Sequence, residues 1–240
     1  GVFLGILLLY NMYIVTGSNG LLARTLRQRV GGDTDYVWAA RQHFDITNAA
    51  TTERFIRQYQ DSLTVHLAAY TATSRADSDR KKCYLTNVVG TRNVAESSDR
   101  ILYVSTDHVF DGSKGDYSEA DEPCPWNHYG WTKLMGEKEA QKTKTCKVIR
   151  CTFRPKPFPY PVAWRDSLTT ALWVEDMAEA LHWCIENYAA LPPIIHIGGK
   201  KQDYYSFASE IGPITAGPAP LQFPKDLSLD SSKYRLLRGS

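Results

Sequence analysis

Six short runs rich in β-branched and aromatic residues recur along the chain, and longer amphipathic stretches lie between most of them. This alternation constrains the fold more than any other feature, because strand, helix and strand in succession close into a parallel βαβ unit. The strand runs are Met12 to Thr16, Tyr36 to Ala39, Leu63 to Leu67, Ile101 to Ser105, Lys147 to Arg150 and Ile194 to Ile197. Helical periodicity falls at Leu21 to Val30, Thr51 to Tyr59, Asp79 to Ser98, Trp131 to Lys142 and Val174 to Asn187. Strands covered on both faces should be continuously apolar, as these mostly are. The expected fold class is α/β, a Rossmann-type doubly wound parallel sheet with a small C-terminal substrate lobe.

A chain of 240 residues is long enough for one dominant domain plus such a lobe. Residues 12–152 read as the dinucleotide-binding domain, and 153–240 as the lobe interleaved with the last strand and helix of the sheet. The lobe opens on Arg154 to Pro161, where four prolines in eight positions exclude regular helix or a central strand. Residues 1–11 form an apolar extension of uncertain status. Gly1 to Tyr10 is too short to span a bilayer, which needs about twenty residues, and it carries no basic n-region, so a signal peptide is not expected.

The net charge of +2 and a charged fraction of 22% describe an ordinary surface, which recommends neither nucleic acid nor a membrane as partner. Lys81-Lys82 and Lys142-Thr143-Lys144 read as solvated helix faces. The five cysteines are an odd set without C-x-x-C spacing, which argues against a disulfide framework or structural zinc and for a reducing, cytoplasmic compartment. Cys151 reads as core rather than nucleophile. The six histidines show no metal-ligand spacing, and no metal is expected.

Thr16-Gly17-Ser18-Asn19-Gly20-Leu21 follows a strand and opens a helix, the context that a dinucleotide fingerprint requires. Gly17 permits the tight turn, Gly20 lets backbone approach a pyrophosphate, and Ala23 replaces the third glycine. The second strand ends Ala39-Ala40-Arg41 with no acid to grip a ribose hydroxyl. Arg41 is therefore either a contact for a 2'-phosphate, favouring NADPH over NADH, or a solvated arginine. Asp45-Ile46 either holds the adenine edge or supplies, through Asp45, the cap of the next helix.

Tyr129 and Lys133 are four residues apart, which places both on one helix face. A neighbouring ammonium is expected to lower the phenol pKa from about 10, fitting Tyr129 to give a proton to a carbonyl oxygen. Thr106 or Ser105, at the end of the fourth strand, would hydrogen-bond the same oxygen. A surface tyrosine and lysine would show the same spacing, so the surrounding motifs carry the assignment.

Those motifs resemble the dTDP-4-dehydrorhamnose reductase family of the extended short-chain dehydrogenases/reductases. The resemblance runs in order from about Met12 to Arg150 through Val15 to Leu22, Phe44 to Thr47, Ala68 to Thr71, Ser105 to Gly112 and Tyr129 to Glu137. Ser228 to Lys233 is similar to the family's C-terminal segment. The resemblance implies reduction of the 4-keto group of a nucleotide-linked 6-deoxyhexose, as in dTDP-L-rhamnose and surface polysaccharide synthesis. It implies Tyr129 as proton donor, Lys133 on the nicotinamide ribose, and Thr106 assisting. Gly17, Ser18, Asn19, Gly20, Leu21, Arg41, Asp45, Ile46, Ala68, Ala69, Tyr70 and Asn87 would join Tyr129 and Lys133 around the cofactor. Ser105, Thr106, Asp107, His108, Val109 and Tyr129 would meet the substrate, and the assembly could be a homodimer.

Three departures stand out. His108 replaces the family's usual tyrosine, Trp126 and His128 are expected to crowd Tyr129, and the segment from Arg150 to Asp176 is short and proline-rich. Two other functions follow from the same resemblance. One is a non-catalytic regulator that binds cofactor or sugar nucleotide, like the regulatory subunit of methionine adenosyltransferase. The other is a nucleotide-sugar epimerase or dehydratase, for which Asp107 is one acid/base candidate although an acidic pair is absent.

Overall fold

The computed structural model describes residues 12–239, so the apolar stretch at the N-terminus lies outside the described residues. Six parallel strands form the central sheet: β1 (Tyr13–Thr16), β2 (Tyr36–Ala39), β3 (Leu63–His66), β4 (Arg100–Thr106), β5 (Thr145–Cys151) and β10 (Ile194–Ile197). Their order is β10-β5-β4-β3-β1-β2, so strand order reverses between β1 and β3. Ligands of open α/β sheets bind beyond the carboxyl ends of the strands at such a reversal.

Alternate residues of each strand feed opposite faces. Val15, Leu102 and Ile149 join one core cluster with Leu22 and Leu26 of α1 (Leu21–Val30) and Met177 and Leu181 of α6 (Val174–Glu186). Ile14, Ile101, Tyr103 and Val148 join the other, with Ile56 of α2 (Ala49–Ile56) and Val94 of α4 (Thr91–Ser97). The result is a three-layer sandwich. The run expected as one helix over Asp79 to Ser98 is α3 (Arg80–Tyr84), a π-helical turn over Leu85–Gly90, and α4.

Helix α2 is capped by Asn48, whose side chain accepts from Thr51 N–H at 3.1 Å. The capping role considered for Asp45 is therefore corrected. Helix α5 (His128–Ala140) starts three residues earlier than its periodicity suggests, because Asn127 accepts from Gly130 N–H at 2.7 Å. At Gly130 a Cβ would lie 2.0 Å from the His108 carbonyl oxygen, so only glycine lets α5 approach the loop after β4 this closely.

Beyond β5 the chain leaves the sheet and forms three small ladders. β6 (Phe153–Arg154) pairs with β9 (Leu172–Trp173), β7 (Val162–Trp164) with β12 (Thr215–Gly217), and β8 (Leu168–Thr169) with β11 (Gln202–Asp203). Between them the chain returns through α6 to lay β10 beside β5. Two short helices, α7 (Tyr204–Ser209) and α8 (Ser232–Arg238), complete the described residues. Among these no helix is long and apolar enough to cross a membrane.

Candidate active site

The carboxyl ends of β1, β2, β3, β4 and β5 open on one cleft of about 820 Å³. On one side lies the glycine turn. Gly17 has φ +68°, and a Cβ there would stand 2.7 Å from the Ala68 backbone, so the turn is pressed onto the segment after β3. Helix α1 begins with no side-chain cap and no acidic residue in its first turn, and Gly20, Leu21 and Leu22 line the cleft. Uncapped N–H groups at a helix start suit an anion, and these residues fit the pyrophosphate of a dinucleotide. Asn19 also lines the cleft, whereas Ser18 is buried and its N–H donates to the Ala39 carbonyl at 3.2 Å.

A buried hydrogen-bond chain supports this turn from below. Thr16 Oγ1 accepts from the N–H groups of Leu67 and Ala68, both at 3.2 Å, which directs its own proton to His66 Nδ1 at 2.7 Å. His66 Nε2–H then donates to Thr91 Oγ1 at 3.0 Å, and the Thr91 hydroxyl donates to the Asn87 carbonyl at 2.8 Å. Burial, with the charge of Lys133 adding to it, pushes His66 down to about 3. The ring is neutral and serves as a strut.

Asn87 itself lies outside the cleft. Its Oδ1 accepts from Tyr70 N–H at 2.7 Å, and its Nδ2 donates to Thr132 Oγ1 at 3.0 Å. It thereby ties the Ala68–Tyr70 stretch, which does line the cleft, to α5. Arg41, Asp45 and Ile46 form the far rim of the same side. Arg41 donates to Asp45 Oδ2 at 2.7 Å, yet its side chain stays 78% exposed and open to a further anion. Burial works against the Asp45 charge, but the Thr47 N–H and hydroxyl and Arg41 together hold the carboxyl below the usual range. Lys81 and Lys82 are exposed, as expected for a solvated face, and also edge the cleft mouth.

Thr106, Asp107, His108, Tyr129 and Lys133 line the opposite end together. The phenol behaves differently from the sequence expectation: burial, and next the Asp107 charge, push its pKa up, while Thr106 beside it pulls the other way. Lys133 does not reverse this. Its ammonium donates to the Val104 carbonyl at 2.8 Å and lies 4.1 Å from the centre of the Tyr103 ring, and burial draws it down to about 8. Asp107 is fully buried; Oδ1 accepts from the Thr106 hydroxyl at 3.0 Å, and Oδ2 has no partner among the described residues. Thr106 and Tyr129 thus open on one space, the Thr106 proton resting on Asp107 Oδ1 and the phenol keeping its own. Such a set can polarise a carbonyl and protonate it.

Several neighbours fall elsewhere than expected. Ser105 lines the cleft, but its hydroxyl donates to Glu137 Oε1 of α5, whereas that of Thr106 donates to the neighbouring Asp107, which itself lines the cleft. Val109 is corrected: a 3₁₀ turn over Asp107–Val109 turns it away into a core cluster with Phe110, Tyr117, Leu227 and Leu229. His128 does not crowd Tyr129; it stacks on Trp131 at 5.5 Å and its Nε2 meets the Arg80 carbonyl at 3.3 Å. His108 does crowd it, edge to face at 5.5 Å, with Trp126 packed behind at 5.7 Å. Cys151 also borders the cleft, but burial pushes its thiol pKa up, as expected of core.

Sequence reasoning missed Arg154 and Tyr160. Both line the cleft where the chain leaves β5. Arg154 donates to the Phe153 carbonyl at 2.8 Å, to Thr152 Oγ1 at 3.3 Å and to Tyr204 Oη at 3.4 Å, while its buried Nε–H has no partner among the described residues. An arginine at the end of a strand, ahead of prolines and without a nearby acid, was the available signal.

Residues 11–153 match the family model described as RmlD substrate binding domain. The chain is 35% identical over 128 residues to a dTDP-4-dehydrorhamnose reductase of Sinorhizobium fredii, covering 51% of this chain and 43% of that protein. It is 32% identical over 137 residues to the methionine adenosyltransferase 2 subunit beta of Xenopus tropicalis, covering 52% and 41%. The matched stretch therefore spans less than half the length of these curated relatives. In structure it resembles a dTDP-4-dehydrorhamnose reductase of Bacillus anthracis solved with NADP, with a TM-score of 0.83, 23% identity, and coverage of 94% of this chain and 92% of that one.

Proposed function

The chain belongs to the RmlD substrate-binding family, and from that premise we propose that it is an NADPH-dependent reductase of the 4-keto group of a nucleotide-linked 6-deoxyhexose. One observation carries the reading: Thr106, Tyr129 and Lys133 open on the same cleft as the glycine turn. The names of the relatives support it, among them dTDP-4-dehydrorhamnose reductases and a dTDP-4-keto-6-deoxy-D-glucose reductase of Streptomyces niveus.

Bound NADPH would supply the hydride. Thr106 turns its hydroxyl from Asp107 Oδ1 to the ketone oxygen and orients it, and Tyr129 transfers its proton to that oxygen as negative charge develops there. The raised phenol pKa keeps Tyr129 fully protonated beforehand. Lys133, as a cation, stabilises the phenolate that remains. The Arg154 guanidinium, which lines the cleft, meets the phosphates of the sugar nucleotide. Arg41 takes the 2'-phosphate. The enzyme acts in the cytoplasm as a homodimer within this reading.

Turnover of a panel of 4-keto nucleotide sugars with NADPH and with NADH tests it, read as loss of reduced-nicotinamide absorbance. Reduction of a dTDP-4-keto-6-deoxyhexose with NADPH preferred is expected; activity with NADH alone would discard the role of Arg41. The likeness to the methionine adenosyltransferase subunit favours a second reading, a cofactor-binding regulator. Tight NADPH binding with no reduction of any ketone on the panel would select it.

A further inference from the structure

Helix α5 carries a third buried ionisable side chain in line with Tyr129 and Lys133. Glu137 follows Lys133 by four residues and Tyr129 by eight, so the three stack along one face of the helix. Arg150 of β5 clamps its carboxylate, with Nε to Oε1 at 3.0 Å and Nη2 to Oε2 at 2.8 Å. The two side chains are only 2% and 3% exposed. A buried ion pair of this kind gains little stability over a well-packed apolar pair, so its presence calls for another use.

The surroundings indicate that use. Ser105 donates to Glu137 Oε1, and Lys133 Nζ donates to the carbonyl of Val104, so two adjacent residues of β4 are pinned to α5 just ahead of Thr106. We propose that Glu137 is a positioning residue of this site, fixing the end of β4 against α5 through Ser105 and holding the Lys133 ammonium as a cation through its own charge. The role in turnover rests on the reductase reading above; the effect on Lys133 does not.

The groups around Lys133 leave Glu137 as its chief support. Besides Glu137 and Tyr129 on its own helix, the ammonium is faced by Tyr103 of β4, Cys83 of α3, Cys151 of β5 and His66 of β3. His66 is neutral, and burial pushes both thiols up so that they too stay uncharged. Against the burial that draws Lys133 down, Glu137 is the largest opposing influence.

The test follows the Lys133 side-chain nitrogen by NMR in protein made with nitrogen-labelled lysine, with the signal assigned by its loss in Lys133→Met. In Glu137→Gln the titration midpoint should fall by about one pH unit, because removing the anion disfavours the cation. The basic limb of kcat/KM for ketone reduction should move down with it. Since Glu137→Gln strands the Arg150 charge, the double variant Glu137→Leu/Arg150→Met serves as the folding control. It should recover the melting temperature and keep the lowered midpoint, whereas a purely structural pair would recover both melting and pH profile. An unshifted Lys133 midpoint in the two variants overturns the proposal, whatever the activity. A shifted midpoint in a protein that reduces no ketone removes the reductase reading and leaves the role of Glu137 standing.

Discussion

The wall of the cleft made by β1, β2 and β3 takes its shape from the sheet, whereas the wall beyond β5 is made by chain that has left it. In the first, Gly17 rests on the Ala68 backbone, and Thr16, His66, Thr91 and Asn87 form an unbroken run of hydrogen bonds underneath. In the second, Arg154 donates to the Phe153 carbonyl and to the hydroxyls of Thr152 and Tyr204, all on chain beyond β5, and Tyr160 is 57% exposed. Backbone on the first wall is set by strand pairing and by contacts that tolerate no added atom. The second wall is held by ladders of two or three residues, so its side chains can change without disturbing the sheet. A fold built this way can keep one cofactor geometry while its substrate surface varies.

Four substitutions test whether the two walls are independent. Tyr129→Phe, between the walls, should lower kcat at least about a hundredfold and leave NADPH affinity intact; undiminished turnover would remove the proton-donor assignment. Gly17→Val on the first wall should cost about 2 kcal/mol by thermal denaturation and abolish tight NADPH binding, because the Cβ meets Ala68 at a positive φ.

His66→Asn tests the strut through pH. The native ring titrates at about 3 against 6.5 for a free histidine, so between these values the unfolded chain binds the extra proton. Stability is therefore full above 6.5 and is lost as pH falls toward 3, by up to about 1.4 kcal/mol per unit from this group. Melting curves of the variant across pH 4 to 7 should show a shallower acid slope by roughly that amount; an unchanged slope would mean that His66 is not held neutral. Arg154→Leu on the second wall should raise KM for the sugar nucleotide about fivefold, ~1 kcal/mol, with melting temperature and NADPH affinity unmoved. A loss of NADPH affinity in that variant would erase the distinction between the walls.

Much of the first wall was legible in the sequence, because strand alternation, the glycine turn and the helix that follows are local patterns. All six strands of the sheet lie where the apolar runs fall, with ends differing by at most two residues. The π-helical turn in Leu85–Gly90 was not legible, since one extra residue in a turn scarcely disturbs a helical period. Val109 and His128 were expected at the site because they adjoin site residues in sequence, but a 3₁₀ turn and the rotation along α5 carry them elsewhere. Glu137 and Arg150 are separated by thirteen residues and by the change from helix to strand, and no local pattern announces a buried pair. The phenol pKa depends on burial, which spacing alone does not reveal.

Strand β10 has a consequence for how the molecule could be divided. It borders β5 at the edge of the sheet, and its residues come from chain that follows the ladders of the second wall. A fragment ended at residue 153, where the family match stops, would lack Ile195, Met177 and Leu181 from its core and would present β5 as a bare edge. Unpaired edges of that length recruit other chains, so such a piece should associate into aggregates instead of standing alone as a cofactor-binding module. The stretch that carries the family's signature therefore draws part of its core and the cover of β5 from chain that follows it.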